Sequence, residues 1–311
     1  MRKALLIVTA ALIALAAYHL VPRSVPPQTK KPLLIAHRGV HQNHQLDGLK
    51  NDTCTATLIE PPRHEYIENT IPSIAAAFEA GADMVEVDIH PTTDGRLAIF
   101  HDWTLDCRTN GRGVTHEQSF TYLKTLDVGH GYTADGGQTF PLRGKGIGLM
   151  PSLDEVLTEF PDKQLLIDQK DHYRKTLDLL AATINGLPPE RREQLFYWND
   201  QRDFNALSQR TSGIRKLVPS RPEIKACAKA YLLRLGLGAL PRQCATGLAF
   251  PARYRDRIPG WPGLLLQKAK ASNIPVFVLD VDTEADANAV KDLPLDGIMT
   301  NRIEVVGPLL R

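Results

Sequence analysis

Glu86 and Asp88 stand one residue apart in Met84-Val-Glu-Val-Asp-Ile-His90, where apolar and acidic residues alternate. That is strand periodicity, so Met84, Glu86 and Asp88 share one face and Val85, Val87 and Ile89 the other. A strand has little structural reason to align two acids on one face unless a cation or a base sits there. Asp94-Gly95 then reads as a two-residue hairpin turn, which pairs Asp88 with His101 and adds an imidazole to the acidic patch. Two further apolar runs end in reactive residues: Leu33-Leu-Ile-Ala-His-Arg-Gly39 in His37 and Arg38, and Gln164-Leu-Leu-Ile-Asp-Gln-Lys170 in Asp168 and Lys170. Carboxylates at 86, 88 and 168 offer hard oxygen ligands, which suit Mg²⁺ or Ca²⁺ rather than zinc. Imidazoles beside them suit proton transfer near neutrality.

The elements that must position these groups are legible as apolar runs near 33–36, 84–89, 97–101, 164–168, 194–198, 214–218, 246–250, 275–281 and 296–299. Between most of them lie stretches suited to helices, at 71–80, 153–159, 174–184, 201–209, 262–271 and 284–291. Strands alternating with helices argue for a parallel sheet, whose active sites form at the carboxyl ends of the strands. The run ending at His101 is the exception, because six residues cannot make a parallel crossover.

The pieces His37-Arg38-Gly39, Glu68-Asn69-Thr70, Gly81-Ala82-Asp83, Glu86-Val87-Asp88, Thr93-Asp94-Gly95, His101-Asp102 and Gly111-Arg112-Gly113 occur in order. Leu126-Asp127-Val128-Gly129, Pro151-Ser-Leu-Asp-Glu155 and Asp296-Gly297-Ile298 follow. Together they resemble the glycerophosphodiester phosphodiesterase family over roughly residues 31–306. The resemblance implies a (β/α)₈ TIM barrel of ~250 residues, with the odd strand as a rim hairpin. It implies a divalent metal on Glu86, Asp88 and Asp168, the last an Asp where the family usually has Glu. His37 and His101 match its two catalytic histidines, with Arg38 beside them, and Arg38 and Lys170 would meet the phosphate charge. Glu68 would orient Arg38 or a histidine, or reach the metal, while Asn69 or Thr70 would cap the helix that follows. Val276-Phe-Val-Leu-Asp-Val-Asp282 resembles the family's Val-x-Val-Trp-Thr-Val-Asn with Leu279 in place of the tryptophan, and Asn301 ends the pattern Asp-Gly-Ile-Ile-Thr-Asp.

Two stretches exceed a minimal family member: residues 40–67, an inserted loop holding His41, His44, Asp47 and Cys54, and Gly129–Gly148, with seven glycines. Both are expected above the site, where loops set substrate choice. His41, His44 and His90 lie near the site in sequence. On the implied barrel, Cys54 in the insert and Cys107 after the hairpin share the catalytic face. A Cys54–Cys107 bridge is therefore expected, with Cys227–Cys244 closing a local loop, one of three possible pairings.

Charge excludes some partners. With 37 basic and 35 acidic residues and a net charge of +2, the chain has no basic stripe, so nucleic acid is not an expected partner. At the N-terminus Arg2-Lys3 precede an uncharged apolar stretch, Ala4 to Val21. Residues 1–22 therefore read as a membrane anchor or a signal peptide, 23–32 as a linker and 33–311 as the phosphodiesterase barrel. Either reading exports the barrel. The expected location is the inner membrane with the catalytic domain outside the cytoplasm, the alternative a soluble periplasmic or secreted enzyme. The expected activity is metal-dependent hydrolysis of glycerophosphodiesters to an alcohol and glycerol 3-phosphate. A lysophospholipase D-like activity on lysolipids is the alternative, and a non-catalytic, membrane-anchored barrel the competing class.

Overall fold

The computed structural model describes Thr9, Tyr18 and residues 23–44, 48–49 and 53–311. The expected leader helix, apart from Thr9 and Tyr18, and Asp47 of the insert lie outside the described residues. Among the described residues no helix is long and apolar enough to cross a membrane.

Among the described residues nine strands form one sheet: β1 (Leu33–His37), β2 (Met84–Pro91), β3 (Leu97–Ile99), β4 (Gln164–Gln169), β5 (Leu195–Trp198), β6 (Arg215–Lys216), β7 (Leu248–Pro251), β8 (Val276–Leu279) and β9 (Gly297–Thr300). Eight run parallel in the order β6-β5-β4-β2-β1-β9-β8-β7, with β3 antiparallel on β2. Helices connect most of the parallel neighbours, the expected ones among them and also Arg221–Leu233, and a further helix, Ile303–Leu310, follows β9. Every residue of β2 is buried, as a strand covered on both faces requires.

The two faces have different tasks. Val85, Val87 and Ile89 join the large core under the helices. Met84 belongs to an inner cluster with Ile35, Leu166, Phe196, Val218, Ala249, Phe277 and Met299, which draws on all eight parallel strands or the residues just after them. The sheet is thus curled around a filled interior, in TIM-like fashion. No ladder joins β6 to β7 among the described residues. There β6 has only two residues, and Pro219 and Pro222 nearby lack the N–H a ladder needs.

Because side chains alternate, Glu86 and Asp88 follow Met84 onto the inward face and cap the apolar plug. Strand register sets His37 beside Glu86 and Asp88 beside Asp168. Rim loops sit above. The insert, the hairpin and the glycine-rich loop share a second core, built on Ala56, Ile67, Phe100, Leu105, Tyr132 and Leu142. Both expected disulfides are present, Cys54–Cys107 and Cys227–Cys244. The first ties the insert to the segment after the hairpin.

Hairpin register differs from expectation by one residue. Ile89 faces Ile99 and Pro91 faces Leu97, so Phe100 rather than His101 bonds to the backbone of Asp88. Thr92 N–H donates to the Arg96 carbonyl, and only Gly95 of the turn has positive φ, at 79°. The turn is therefore a three-residue loop with glycine in the left-handed position, not the two-residue form with positive φ at both centres.

Candidate active site

β1 ends in a backbone conformation that few residues adopt. Arg38 and Asn69 are both left-handed, with φ of 60° and 59°, and Asn69 N–H donates to the Arg38 carbonyl at 3.0 Å. Gly39 follows at φ 81°, where a Cβ would lie 2.2 Å from Ser73 Oγ. Strain of this kind costs about 1–3 kcal/mol per residue and persists only where the surroundings over-determine it. Here they do. Arg38 N–H reaches Glu86 Oε2 at 3.1 Å, its Nε pairs with Asp88 at 3.0 Å and its Nη1 with Glu68 at 3.2 Å. The Asn69 side chain holds Asp88 twice, donating to Oδ2 at 2.7 Å and accepting from the Asp88 N–H at 3.2 Å. Sequence reading gave Asn69 only a capping role. Thr70 is the cap, accepting from Ser73 N–H.

Glu86, Asp88 and Asp168 each offer an oxygen within 4.8 Å of the others'. Glu86 Oε1 is buried and lacks a hydrogen-bond partner, while Asp88 Oδ1, also buried, has only the Lys170 ammonium opposite it at 3.2 Å, without hydrogen-bond geometry. A buried carboxylate oxygen is costly to leave unpaired, so this donor set fits a hard divalent cation. Burial, then Asp88 and Asp168, pushes the Glu86 carboxyl well above its usual range. Burial opposes ionisation at Asp88 as well, but Lys170 and Arg38 overcome it and hold Asp88 low. Lys170 Nζ lies 3.0 Å from Asp168 and 3.2 Å from Asp88.

His37 and His101 flank this cluster. His37 Nδ1 is 2.7 Å from Asn301 Oδ1, and its Nε2 is 3.8 Å from Glu86 Oε2. His101 Nδ1 is 2.7 Å from Asp102 Oδ1. Burial, Arg38 and Lys170 lower His101 to about 4, which keeps its ring neutral near pH 7. Asp102 is in turn paired with Arg108 Nε at 2.9 Å. Arg108 is buried and also meets Glu68 at 2.9 Å, Tyr132 OH at 2.7 Å and Thr55 Oγ1 at 2.6 Å. It joins the insert to both halves of the site, and sequence reading missed it. The motif context of Arg108 carries no catalytic signal; only the proximity of two acids in the fold singles it out.

Glu68 lies outside the three-acid cluster, with one oxygen on Arg38 and the other on Arg108. Burial alone would raise it, yet the two guanidinium groups hold it at about 2. Of the flagged histidines, His41 is buried with its ring 6.3 Å from that of His37 and Nε2 unpartnered. His44 bridges to Ile59 within the insert, and His90 Nε2 faces the His101 carbonyl at 3.4 Å. His172, Asp200 and Asp203 form a second acidic group, engaged by Arg202.

The sequence model of the glycerophosphoryl diester phosphodiesterase family matches residues 37–179. The chain is 33% identical over 285 residues to the glycerophosphodiester phosphodiesterase of Caldanaerobacter subterraneus, covering 90% of this chain and 98% of the relative. Its fold matches the glycerophosphoryl diester phosphodiesterase domain of an uncharacterized protein from Mycobacterium tuberculosis, with a TM-score of 0.65 at 16% identity over 91% of this chain and all of that one. An Oleispira antarctica phosphodiesterase, solved in complex with the product sn-glycerol-3-phosphate, matches with a TM-score of 0.56 at 20% identity, covering 89% of this chain and 96% of that one. Identity of 33% over nearly the whole of the Caldanaerobacter relative, on a TIM-like sheet with an acidic cluster at its strand ends, makes the chain a hydrolase of phosphoric diesters. This chain belongs to the glycerophosphoryl diester phosphodiesterase family.

Proposed function

We propose that the chain hydrolyses glycerophosphodiesters to an alcohol and glycerol 3-phosphate at the mouth of the sheet, with Glu86, Asp88 and Asp168 holding a divalent cation. The observation that carries this reading is the cluster of three carboxylates whose oxygens lie within 4.8 Å of one another, with the buried Glu86 Oε1 unpartnered and two histidines beside it. A bound cation of this class polarises a phosphoryl oxygen. The residues themselves manage protons and position. His37 and His101 share the acid and base roles: a ring that starts neutral takes the proton of the attacking hydroxyl or water on Nε2, and the imidazolium so formed returns it to the departing alcohol oxygen. Asp102, kept ionised by Arg108, stabilises the His101 imidazolium. Arg38 is engaged by Asp88 and Glu68, so its part is to fix the cluster and balance its charge. Lys170, partly exposed, stands nearest to the developing phosphoryl charge. Mg²⁺ and Ca²⁺ both suit three carboxylates.

A lysolipid substrate is the second reading, favoured by one observation. Trp103 and Tyr173 are 46% and 44% exposed, with ring centroids 6.3 Å apart, and they follow His101 and Lys170 closely in sequence. Exposed aromatics at a site rim suit an acyl chain or a membrane interface. Two disulfides support an oxidising compartment outside the cytoplasm, consistent with residues 1–22 acting as an anchor or a cleaved signal. The test is product analysis with glycerophosphocholine and lysophosphatidylcholine. Glycerol 3-phosphate and choline released from the former support the first reading. Choline and lysophosphatidic acid from the latter alone support the second, and no release from either overturns both.

A further inference from the structure

We infer that Asn301, aimed by Asp282 and Asp280, locks His37 in the tautomer with its proton on Nδ1 and so presents the Nε2 lone pair to the acidic cluster. The inference rests on the proposed role of His37, yet its geometric basis is independent of that role.

The argument is one of donors and acceptors. Asn301 is buried at the end of β9, and Asp282 lies just beyond β8. Three donors from one short stretch converge on Asp282: Thr300 Oγ1 at 3.2 Å and the Asn301 N–H at 2.7 Å on Oδ1, and Asn301 Nδ2 at 2.8 Å on Oδ2. Nδ2 also points toward Asp280 Oδ1 at 3.5 Å, where Asp280 adopts φ 54°. An ionised carboxylate only accepts, so the amide nitrogen must face the two acids. Turning the amide over would set its oxygen against two carboxylates. Asn301 Oδ1 therefore faces His37 Nδ1, 2.7 Å away. An amide oxygen also only accepts, so Nδ1 must carry the proton. A neutral imidazole has a single N–H, which leaves Nε2 with a lone pair, on the side of Glu86. Asn301 and Asp282 are thus positioning residues that touch the chemistry only through His37. The C-terminal third of the chain acts on the site by this route.

The test is a long-range ¹H–¹⁵N correlation spectrum of the full chain at pH 8, with the His37 ring assigned by its loss in His37→Gln. Native protein should show a protonated Nδ1 and a pyridine-type Nε2. Asn301→Ala should mix the tautomers and lower kcat on glycerophosphocholine by about 10–100-fold, the usual loss when a supporting hydrogen bond is removed, with KM little changed. The exchange Asp282→Asn with Asn301→Asp keeps one carboxylate, one amide and an acceptor facing Nδ1, so it should restore the native tautomer and most of kcat. It also controls for misfolding of the single variant. A proton on Nε2 in the native protein overturns the lock, as does an unchanged spectrum in folded Asn301→Ala. Mixed tautomers with undiminished turnover would uphold the lock and remove His37 from proton transfer.

Discussion

His37 and His101 both neighbour the same acidic cluster, and what stands behind each differs. Behind His101 lies a chain of ions: the partly buried Asp102, then the buried Arg108, Glu68 and Arg38. Behind His37 lies a neutral amide, Asn301, with its charge one step further back on Asp282. Both arrangements give Nδ1 an acceptor and free Nε2. Only the first places a carboxylate against the ring, which steadies the imidazolium once His101 has taken a proton, although burial, Arg38 and Lys170 keep that ring neutral at rest. The second sets an amide against a ring that is also neutral at rest, because burial and Arg38 hold His37 well below its usual range. Similar imidazoles thus differ in how firmly each holds a transferred proton, through the charge of a single neighbour.

The largest expected effect would remove what both histidines serve. Asp88→Asn should abolish turnover and most cation affinity, because it deletes one of three charges and leaves Arg38 and Lys170 short of a partner. Turnover by Asp88→Asn close to native would show that both histidines serve something other than this cluster.

Next come the histidines. Replacing either by Ala should lower kcat by ~10²–10⁴-fold, the usual range for general acid–base catalysis. The double variant should be little worse than either, as for groups that act as a unit. Simple multiplication of the two losses, measured under saturating substrate, would mean that the flanks work independently.

Stability should separate the flanks further. Arg108→Met takes a buried guanidinium from the buried Glu68 and the partly buried Asp102, and should cost about 3–5 kcal/mol in urea unfolding, the scale for breaking a buried pair. Asn301→Ala removes the amide's hydrogen bonds to His37 and Asp282 but breaks no ion pair, and should cost closer to about 2 kcal/mol, the scale of two hydrogen bonds. Equal losses would erase the distinction between a charged and a neutral support.

Disulfide removal is a smaller and regional test. The chain-entropy relation gives about 4 kcal/mol for the 53-residue separation of Cys54–Cys107 and about 3 kcal/mol for the 17-residue separation of Cys227–Cys244. Similar thermal losses should therefore come with different activities. Cys54→Ala with Cys107→Ala loosens the insert that carries Thr55 onto Arg108, so it should lower kcat as well, whereas the other pair should change stability alone.

The smallest effect concerns pH. Burial, followed by the neighbouring His41, lowers His44 to about 4. A histidine whose folded value lies below its unfolded value of about 6.5 leaves the unfolded chain binding more protons in that interval, so stability is lost as pH falls from about 6.5 toward 4. At pH 5.5 the contribution is about 1 kcal/mol. His44→Gln should flatten the fall in Tm between pH 7 and 5.5, and an unchanged slope would exclude His44 as a source of it.

Much of this site was legible before the fold. Alternation put Glu86 and Asp88 on one face, and the polar endings of three apolar runs placed His37, Arg38, Asp168 and Lys170 at the carboxyl ends of strands. Those are local signals, carried within a few residues of each side chain. The hairpin register slipped because Asp-Gly fits both a two-residue turn and the last two positions of a three-residue loop, and φ at Asp94 decides between them. Arg108, Asn301 and Asp282 were not singled out for a role because their meaning is non-local. Arg108 gains its partners from residues six and forty positions back, and Asn301 meets His37 across 264 positions of sequence. A buried arginine looks like any other until the two acids it joins are brought to it.

Cation dependence of glycerol 3-phosphate release from glycerophosphocholine tests the central claim most directly. Purified enzyme dialysed against EDTA should be inactive, and Mg²⁺ or Ca²⁺ should restore turnover in the native chain but not in Asp88→Asn. Full turnover in EDTA, or recovery of Asp88→Asn to the native level on adding the cation, would contradict the assignment of Glu86, Asp88 and Asp168 as its ligands.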